Sequence, residues 1–232
     1  YDRPWTPPSI QSGKPRILSG VDQQSGGTWL GVNQHGLFFG ACNRHKVGVP
    51  IAPRSRGALC RDLLRCGSAR RAVDMALDEL SGNTYDGVNF LIADAESGWV
   101  VHAGDDYEAV EMEEGLSIIG NGDVNDPRDE RVKLARRLLT LQTLDSPVKF
   151  LAVASKVFAR APTQPGRPSM VLHGKLRGTV SSTLISLGVK PRDAIYQFAA
   201  GSPDETKYED YSPLLRDILS RGLREARSKA NA

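Results

Sequence analysis

The order of strand-like and helix-like segments predicts an α+β protein built in layers. Segments of one kind come in blocks: a β-hairpin, two helices, a run of strands, two helices, two strands and a helix. This blocking argues against a doubly wound parallel sheet. The strand-like segments are short, rich in β-branched and aromatic residues and separated by turn residues, which is the pattern of an antiparallel meander. The helical stretches carry Ser or Asp at their starts, often followed by Pro. Two packed antiparallel sheets between helical layers fit this order, and so does one sheet with helices on one face; periodicity does not choose between them.

Residues 1–15, rich in Pro and Ser, read as an extended loop. "GGTWLGVNQHGLFFGACNR" then holds two strand-like runs, Thr28–Asn33 and Leu37–Asn43, around a tight turn at Gln34-His35-Gly36. A basic loop leads to helical patterns at 57–66 and 68–81. In the second, Ala72, Val73, Ala76, Leu77 and Leu80 recur at helical spacing and Ser68 serves as N-cap. Four strands are expected at 87–94, 98–104, 107–112 and 115–121. In "NDPRDERVKLARRLL" the reading is Asp126 as cap, Pro127 at the first helical position and Asp129 in the first turn. Ser146-Pro147 opens the next helix, and a Pro/Gly-rich loop spans 161–169. Strands at 178–188 and 194–201 precede a last helix begun by Ser212-Pro213.

The chain has 232 residues, 40% hydrophobic and 25% charged, and fits a single domain, 1–232. A net charge of +3 does not demand nucleic acid. The arginine-rich stretch "PRSRGALCRDLLRCGSARR" has no interleaved aromatics, so no nucleic-acid partner is expected. Three cysteines without framework spacing point to a reducing compartment and a cytoplasmic location. Scattered histidines and the lack of CxxC spacing leave no zinc site. No apolar run reaches about 18 residues, so no spanning helix is expected.

Asn43 ends the apolar run "LFFGAC" and Asn121 ends "SIIG". A buried amide is costly unless bonded. Two strand-end amides converging on one cleft would donate to a developing oxyanion; alternatively each shapes a turn, and Asn121-Gly122 is a turn dipeptide. Arg56 stands at a helix start, where backbone amides also favour anions, or else belongs to a solvated helix face. In "TVSSTLISL", Ser181 and Ser182 point to opposite faces, with Thr179 on the side of Ser181. One of the two serines faces the interior or a cleft, unless its hydroxyl merely bonds neighbouring backbone. Cys42 faces away from Asn43 by the same alternation and reads as a small buried hydrophobe.

"YDRPWTPP", "GGTWLGVNQHGLF", "SRG" and "YEDYSPLL" together resemble the NRDE (Asn-Arg-Asp-Glu) family, known also as transport and Golgi organisation proteins. The likeness spreads over most of residues 1–215, and "GGTWLGV" is its most specific block. It implies an N-terminal-nucleophile (Ntn) hydrolase-like αββα sandwich. "VNQHGLFFGACN" is similar to a strand-turn-strand of bile-salt hydrolases and penicillin V acylases, which places Asn43 on a catalytic asparagine. "SIIGNGDVN" likewise places Asn121 on a second one, and "GTVSST" resembles those enzymes' "GDLSS" strand, whose downstream arginine is replaced by Leu187 or a neighbour. Trp29, Arg56, Thr179 and Ser181 are the ligand-binding residues expected of such a cleft.

The nucleophile of that superfamily is an N-terminal cysteine whose own amine is the base, and this chain opens on Tyr1. The likeness implies that about 15–25 further residues, enough for one strand and a turn, precede the "YDRP" segment, so the domain as given would lack its first strand and its nucleophile. The expected role is binding or trafficking of a small apolar anionic ligand of haem or acyl/lipid type, linked to secretory and Golgi organisation, with no required cofactor. The alternatives are an N-terminal cysteine amidohydrolase acting on non-peptide C–N bonds, and an interaction domain without ligand.

Overall fold

The computed structural model describes residues 3–48, 50–162, 164 and 166–231. One antiparallel sheet takes seven strands in sequence order: β1 (Trp5–Gln11), β2 (Ile17–Asp22), β3 (Leu30–Asn33), β4 (Phe38–Asn43), β5 (Val88–Ala93), β6 (Gly98–Ala103) and β7 (Tyr107–Glu111). Between β4 and β5 the chain leaves the sheet to form α1 (Arg56–Leu63) and α2 (Ala69–Gly82). After β7 come α3 (Glu130–Thr140), α4 (Pro147–Phe158), β8 (Ser182–Ser186), β9 (Ile195–Ala199), β10 (Glu209–Asp210) and α5 (Ser212–Ala230). The last three strands form a second antiparallel sheet in the order β10-β9-β8.

The two-residue period of the strands sorts side chains into layers. On β5, Val88, Phe90 and Ile92 face Leu59, Leu63, Ala72, Val73 and Ala76 of α1 and α2. On the opposite face of the large sheet, Leu18 and Val32 meet Tyr196 and Phe198 of β9, with Leu215 and Ile218 of α5 in the same core. The far side of the small sheet presents Leu184 to Leu139, Leu151, Ala154 and Val157 of α3 and α4. The layers therefore run helix, sheet, sheet, helix, the αββα arrangement that the resemblance implies. Each fully buried Leu or Phe contributes about 1.5–3 kcal/mol.

Three expectations need correction. Residues 1–15 are not an extended loop, because Trp5–Gln11 pairs with β2. The register shifts between Thr6 and Ser9, where Pro7 and Pro8 lie. An edge strand with a bulge tolerates prolines that a central strand would reject. Residues 115–121 form no strand; among them only the isolated bridge of Ile119 to Val124 is formed. Side chains hold this segment instead: Asn125 Oδ1 accepts from Ile118 N–H, and Asn89 Nδ2 donates to the carbonyls of Gly120 (3.0 Å) and Gly122 (2.8 Å). The third helix starts later than expected, with Asp129 as N-cap accepting from Arg131 and Val132 N–H. Asp126 caps a turn ahead of it, through Arg128 N–H. By contrast Ser68 and Ser146 cap α2 and α4 as their positions predict.

Candidate functional site

A cavity of about 820 Å³ opens where the start of β1 and the ends of β2 and β4 meet the start of α1. That is within the range of small-molecule sites. The local sequence explains why these ends converge. Gly26 takes a φ of +66°, which suits glycine, and a Cβ on Gly27 would lie 2.1 Å from the Gly57 carbonyl carbon. The bare backbone at Gly27 lets Thr28 N–H donate to the Gly57 carbonyl at 2.9 Å. "GGTW" and "SRG" are thus two halves of one backbone contact, which brings the segments carrying Trp29 and Arg56 into the same wall.

The wall has an aromatic part and a basic part. Trp5 and Trp29 meet edge to face with centroids 6.1 Å apart, and Trp5 also abuts Phe198 at 5.8 Å. Three arginines border the cavity, Arg3, Arg54 and Arg56, and their partners separate their roles. Arg3 is bound to the Asp22 carboxylate, and Arg54 lies 2.6 Å from Glu79. Arg56 donates through Nη1 to the Asn43 side-chain oxygen (2.9 Å) and the Gly87 carbonyl (2.7 Å), while the half-buried Asp86 carboxylate stands 3.8 Å away. Two neutral acceptors orient this guanidinium through Nη1, and its ion pair with Asp86 is the loosest of the three. Of the three arginines it is the one most open to a ligand anion.

Two further groups of donors lie beside it. Ser55 caps α1 by accepting from Ala58 N–H, and the N–H groups of Arg56 and Gly57 have no partner among the described residues. Such unpaired amides at a helix start favour an anion. Because Asn43 Oδ1 accepts from Arg56, its amide orientation is set, and its Nδ2 donors make no hydrogen bond among the described residues.

Of the residues singled out in the sequence, Trp29, Asn43, Arg56 and Ser181 border this cavity, and Asn121 and Thr179 do not. Asn121 is close by nonetheless. Its Nδ2 donates to the backbone carbonyl of Asn43 at 2.8 Å, and its own carbonyl accepts from His45 N–H. One of its two amide donors is thus committed to fixing Asn43 from behind. Behind Asn121, the Arg44 guanidinium lies 3.3 Å from both Asn89 Oδ1 and His102 Nδ1 and 2.7 Å from Asp123. Burial, then Arg44, holds His102 below the ordinary imidazole range. Thr179 Oγ1 accepts from Leu172 N–H, and Ser182 shares a hydrogen bond with the Tyr208 hydroxyl. Cys42 also borders the cavity, half-buried rather than buried, with Sγ 3.3 Å from the Gly120 carbonyl.

Sequence reasoning passed over Arg3, Trp5 and Asp22. "YDRPW" carried no signal of proximity to Trp29, because only the pairing of β1 with β2 brings them together. The Arg3 hydrogen bond, opposed by burial and helped by Ser25 and Gln24, holds the Asp22 carboxyl at about 2. A depressed folded-state pKa contributes stability that is present above the unfolded value, near pH 4, and lost as pH falls through 2. Arg3→Ala should therefore remove part of the acid sensitivity. With Arg3 largely exposed, the loss at neutral pH should be only about 1 kcal/mol, and the check is urea unfolding of both forms at pH 7, 4 and 2.5.

No curated protein matches this sequence. Among solved structures the chain is similar to penicillin V acylase from Agrobacterium tumefaciens, at a TM-score of 0.55 and 13% identity over 91% of this chain and 78% of that one. It is also similar to a variant of conjugated bile acid hydrolase from Clostridium perfringens, at a TM-score of 0.49 and 11% identity over 90% of this chain and 84% of that one. The first likeness speaks for a shared fold, that of the Ntn hydrolases. The family model described as transport and Golgi organisation 2 matches residues 1–172, most of the chain, and the protein belongs to that family.

Proposed function

We propose that the cavity binds a small ligand with an apolar body and an anionic group, of acyl, lipid or haem type, and that the protein carries this ligand in the cytoplasm. The observation that supports it most is the pairing of Arg56, whose hydrogen bonds go to neutral acceptors and whose ion pair with Asp86 is loose at 3.8 Å, with a tryptophan-lined wall in the same cavity. A carboxylate would lie against Arg56, the α1 amides and the Asn43 amide, with its apolar body on Trp5 and Trp29. The free thiols Cys42, Cys60 and Cys66 suit a reducing compartment. Membership of the family is the ground for linking this carriage to secretory and Golgi organisation.

Titration of the tryptophan fluorescence with a short-chain acyl carboxylate, and separately with haem, tests this reading. Saturable quenching is expected, and Arg56→Ala should weaken it by about 1.5–3 kcal/mol, the worth of a charge-assisted hydrogen bond. Equal affinity in the two forms would overturn the assignment of the anion site.

A second reading, amidohydrolase action on a non-peptide C–N bond, has its support in the Asn43 donors and the fold shared with penicillin V acylase. The thiols within the described residues do not supply its nucleophile. Burial raises the Cys60 thiol far above its ordinary value, and burial also raises Cys42, whose sulfur faces a carbonyl. Amide cleavage that depends on a cysteine upstream of Tyr1 would establish the second reading in place of carriage.

A further inference from the structure

Two loops contribute to the wall of the cavity. One, whose described residues are 44–48 and 50–55, follows β4 and contributes Pro53, Arg54 and Ser55 to the wall; the other, residues 171–181, precedes β8 and contributes Val180 and Ser181. Both hold aliphatic side chains out into water. Val47 is 92% and Ile51 96% exposed on the first, and Leu176 is 87% exposed on the second. The backbone beneath them is tied down. Val47 and Gly48 N–H donate to the Asp105 carboxylate at 3.2 Å, and Leu172 and Thr179 exchange hydrogen bonds across the base of the second loop.

Charge singles out the same two regions. From Gln23 to Arg61 there are five Lys and Arg and no Asp or Glu, and from Ser146 to Arg192 there are eight and none. The whole chain has 30 basic and 27 acidic residues, so the remainder carries a net −10. Basic charge is gathered on the stretches that include both loops.

We propose that these loops form a docking rim that seats the mouth of the cavity on an anionic lipid bilayer. Val47, Ile51 and Leu176 enter the boundary between headgroups and acyl chains, and Lys46, Lys175 and Arg177 lie against lipid phosphates. The proposal rests on the reading of the cavity as a site for an apolar anionic ligand, which would then pass between bilayer and cavity without crossing water. A nucleic acid or an acidic protein would use the charge alone. Three almost fully exposed aliphatic side chains gain nothing from a polyanion and gain from a bilayer. No helix among the described residues is long and apolar enough to cross a membrane, and the attachment proposed for the rim is a peripheral one.

Co-sedimentation of the purified chain with vesicles of phosphatidylcholine, alone or mixed with phosphatidylserine, tests the rim. Binding to the mixed vesicles is expected at low salt and should weaken as salt rises. The double variant Ile51→Glu/Leu176→Glu should lose at least about ten-fold in partitioning. Lys175→Gln and Arg177→Gln should each cost about five-fold. All four positions lie on loops, and unchanged thermal melting checks that the variants fold. Absence of binding to mixed vesicles, or equal binding by the double variant, overturns the proposal. So does competition by heparin that the glutamate substitutions leave unaltered, which would mark a polyanion surface instead. The fluorescence titration with a soluble acyl carboxylate is run on the same proteins. Loss of vesicle binding in the double variant with ligand affinity intact supports the rim. Ligand binding by a parent chain that ignores vesicles overturns the rim and leaves the cavity reading standing. Vesicle binding, lost in the double variant, by a chain that takes no ligand supports the rim and removes the cavity reading.

Discussion

Replacing Asn33 by alanine is expected to destabilise the fold by about 3–4 kcal/mol, the largest effect of any single polar truncation proposed for this chain. Asn33 is completely buried at the end of β3. Its Nδ2 donates to the carbonyls of Leu64 (2.9 Å) and Cys66 (2.8 Å), and its Oδ1 accepts from the N–H groups of His35 (2.8 Å) and Leu37 (3.1 Å). One side chain thus satisfies two carbonyls in the turn between α1 and α2 and two amides in the turn between β3 and β4. Alanine would leave all four without these partners, three of them on the buried residues Leu37, Leu64 and Cys66. The thermal midpoint should fall by roughly 6–16 °C for a chain of this size. Asn33→Asp is the informative control. The carboxylate can still accept from His35 and Leu37 but would point an oxygen at the two carbonyls. Burial and that repulsion would raise its pKa above the unfolded value, so some of the lost stability should return as pH falls. A shift below 1 kcal/mol for the alanine variant would mean that the two turns are held by packing alone.

Gly27→Ala is expected to impair both stability and ligand binding, whereas Gly26→Ala should affect stability alone. A Cβ at Gly27 would sit 2.1 Å from the Gly57 carbonyl carbon and 2.4 Å from its oxygen, where only backbone can move. The first turn of α1 would have to withdraw from Thr28, taking Arg56 away from Trp29. Overpacking of this kind costs about 1–3 kcal/mol, and the loss of the Thr28 hydrogen bond adds about 1 kcal/mol. At Gly26 the nearest atom to such a Cβ is a side-chain nitrogen of Arg61 at 3.8 Å, so the penalty is the left-handed φ of +66°, about 1–2 kcal/mol. Urea unfolding and the fluorescence titration on both variants check the contrast. Undiminished affinity in Gly27→Ala would show that the contact between Gly27 and Gly57 does not set the cavity.

The features legible in the sequence are those that local chemistry decides. Ser68 and Ser146 cap helices because a hydroxyl needs only the amide three residues on. The hairpin of β3 and β4 and the meander of β5, β6 and β7 follow from alternation and turn residues between neighbours in sequence. From that order came the layered α+β class, and from the motifs the resemblance that named the sandwich. Asn43 was legible as a candidate at a strand end, Arg56 beside a helix start, Ser181 from the alternation of a strand, and Trp29 within the block that carries the resemblance. Distant contacts decided the rest. "WTPPSIQ" becomes a strand only because β2 offers it an edge, and "SIIGN" fails to become one because the buried Asn89 captures its neighbouring carbonyls. Asn33 resembles any turn asparagine until α1 and α2 bring their carbonyls to it. The same holds for the site: Asn121 and Thr179 look equivalent to Asn43 and Ser181 in sequence, yet they stand outside the cavity wall, each with a hydrogen bond to a backbone group that only the folded chain places within reach. Propensity and capping act over a few residues, whereas satisfying a buried polar group depends on whatever the rest of the chain carries to it.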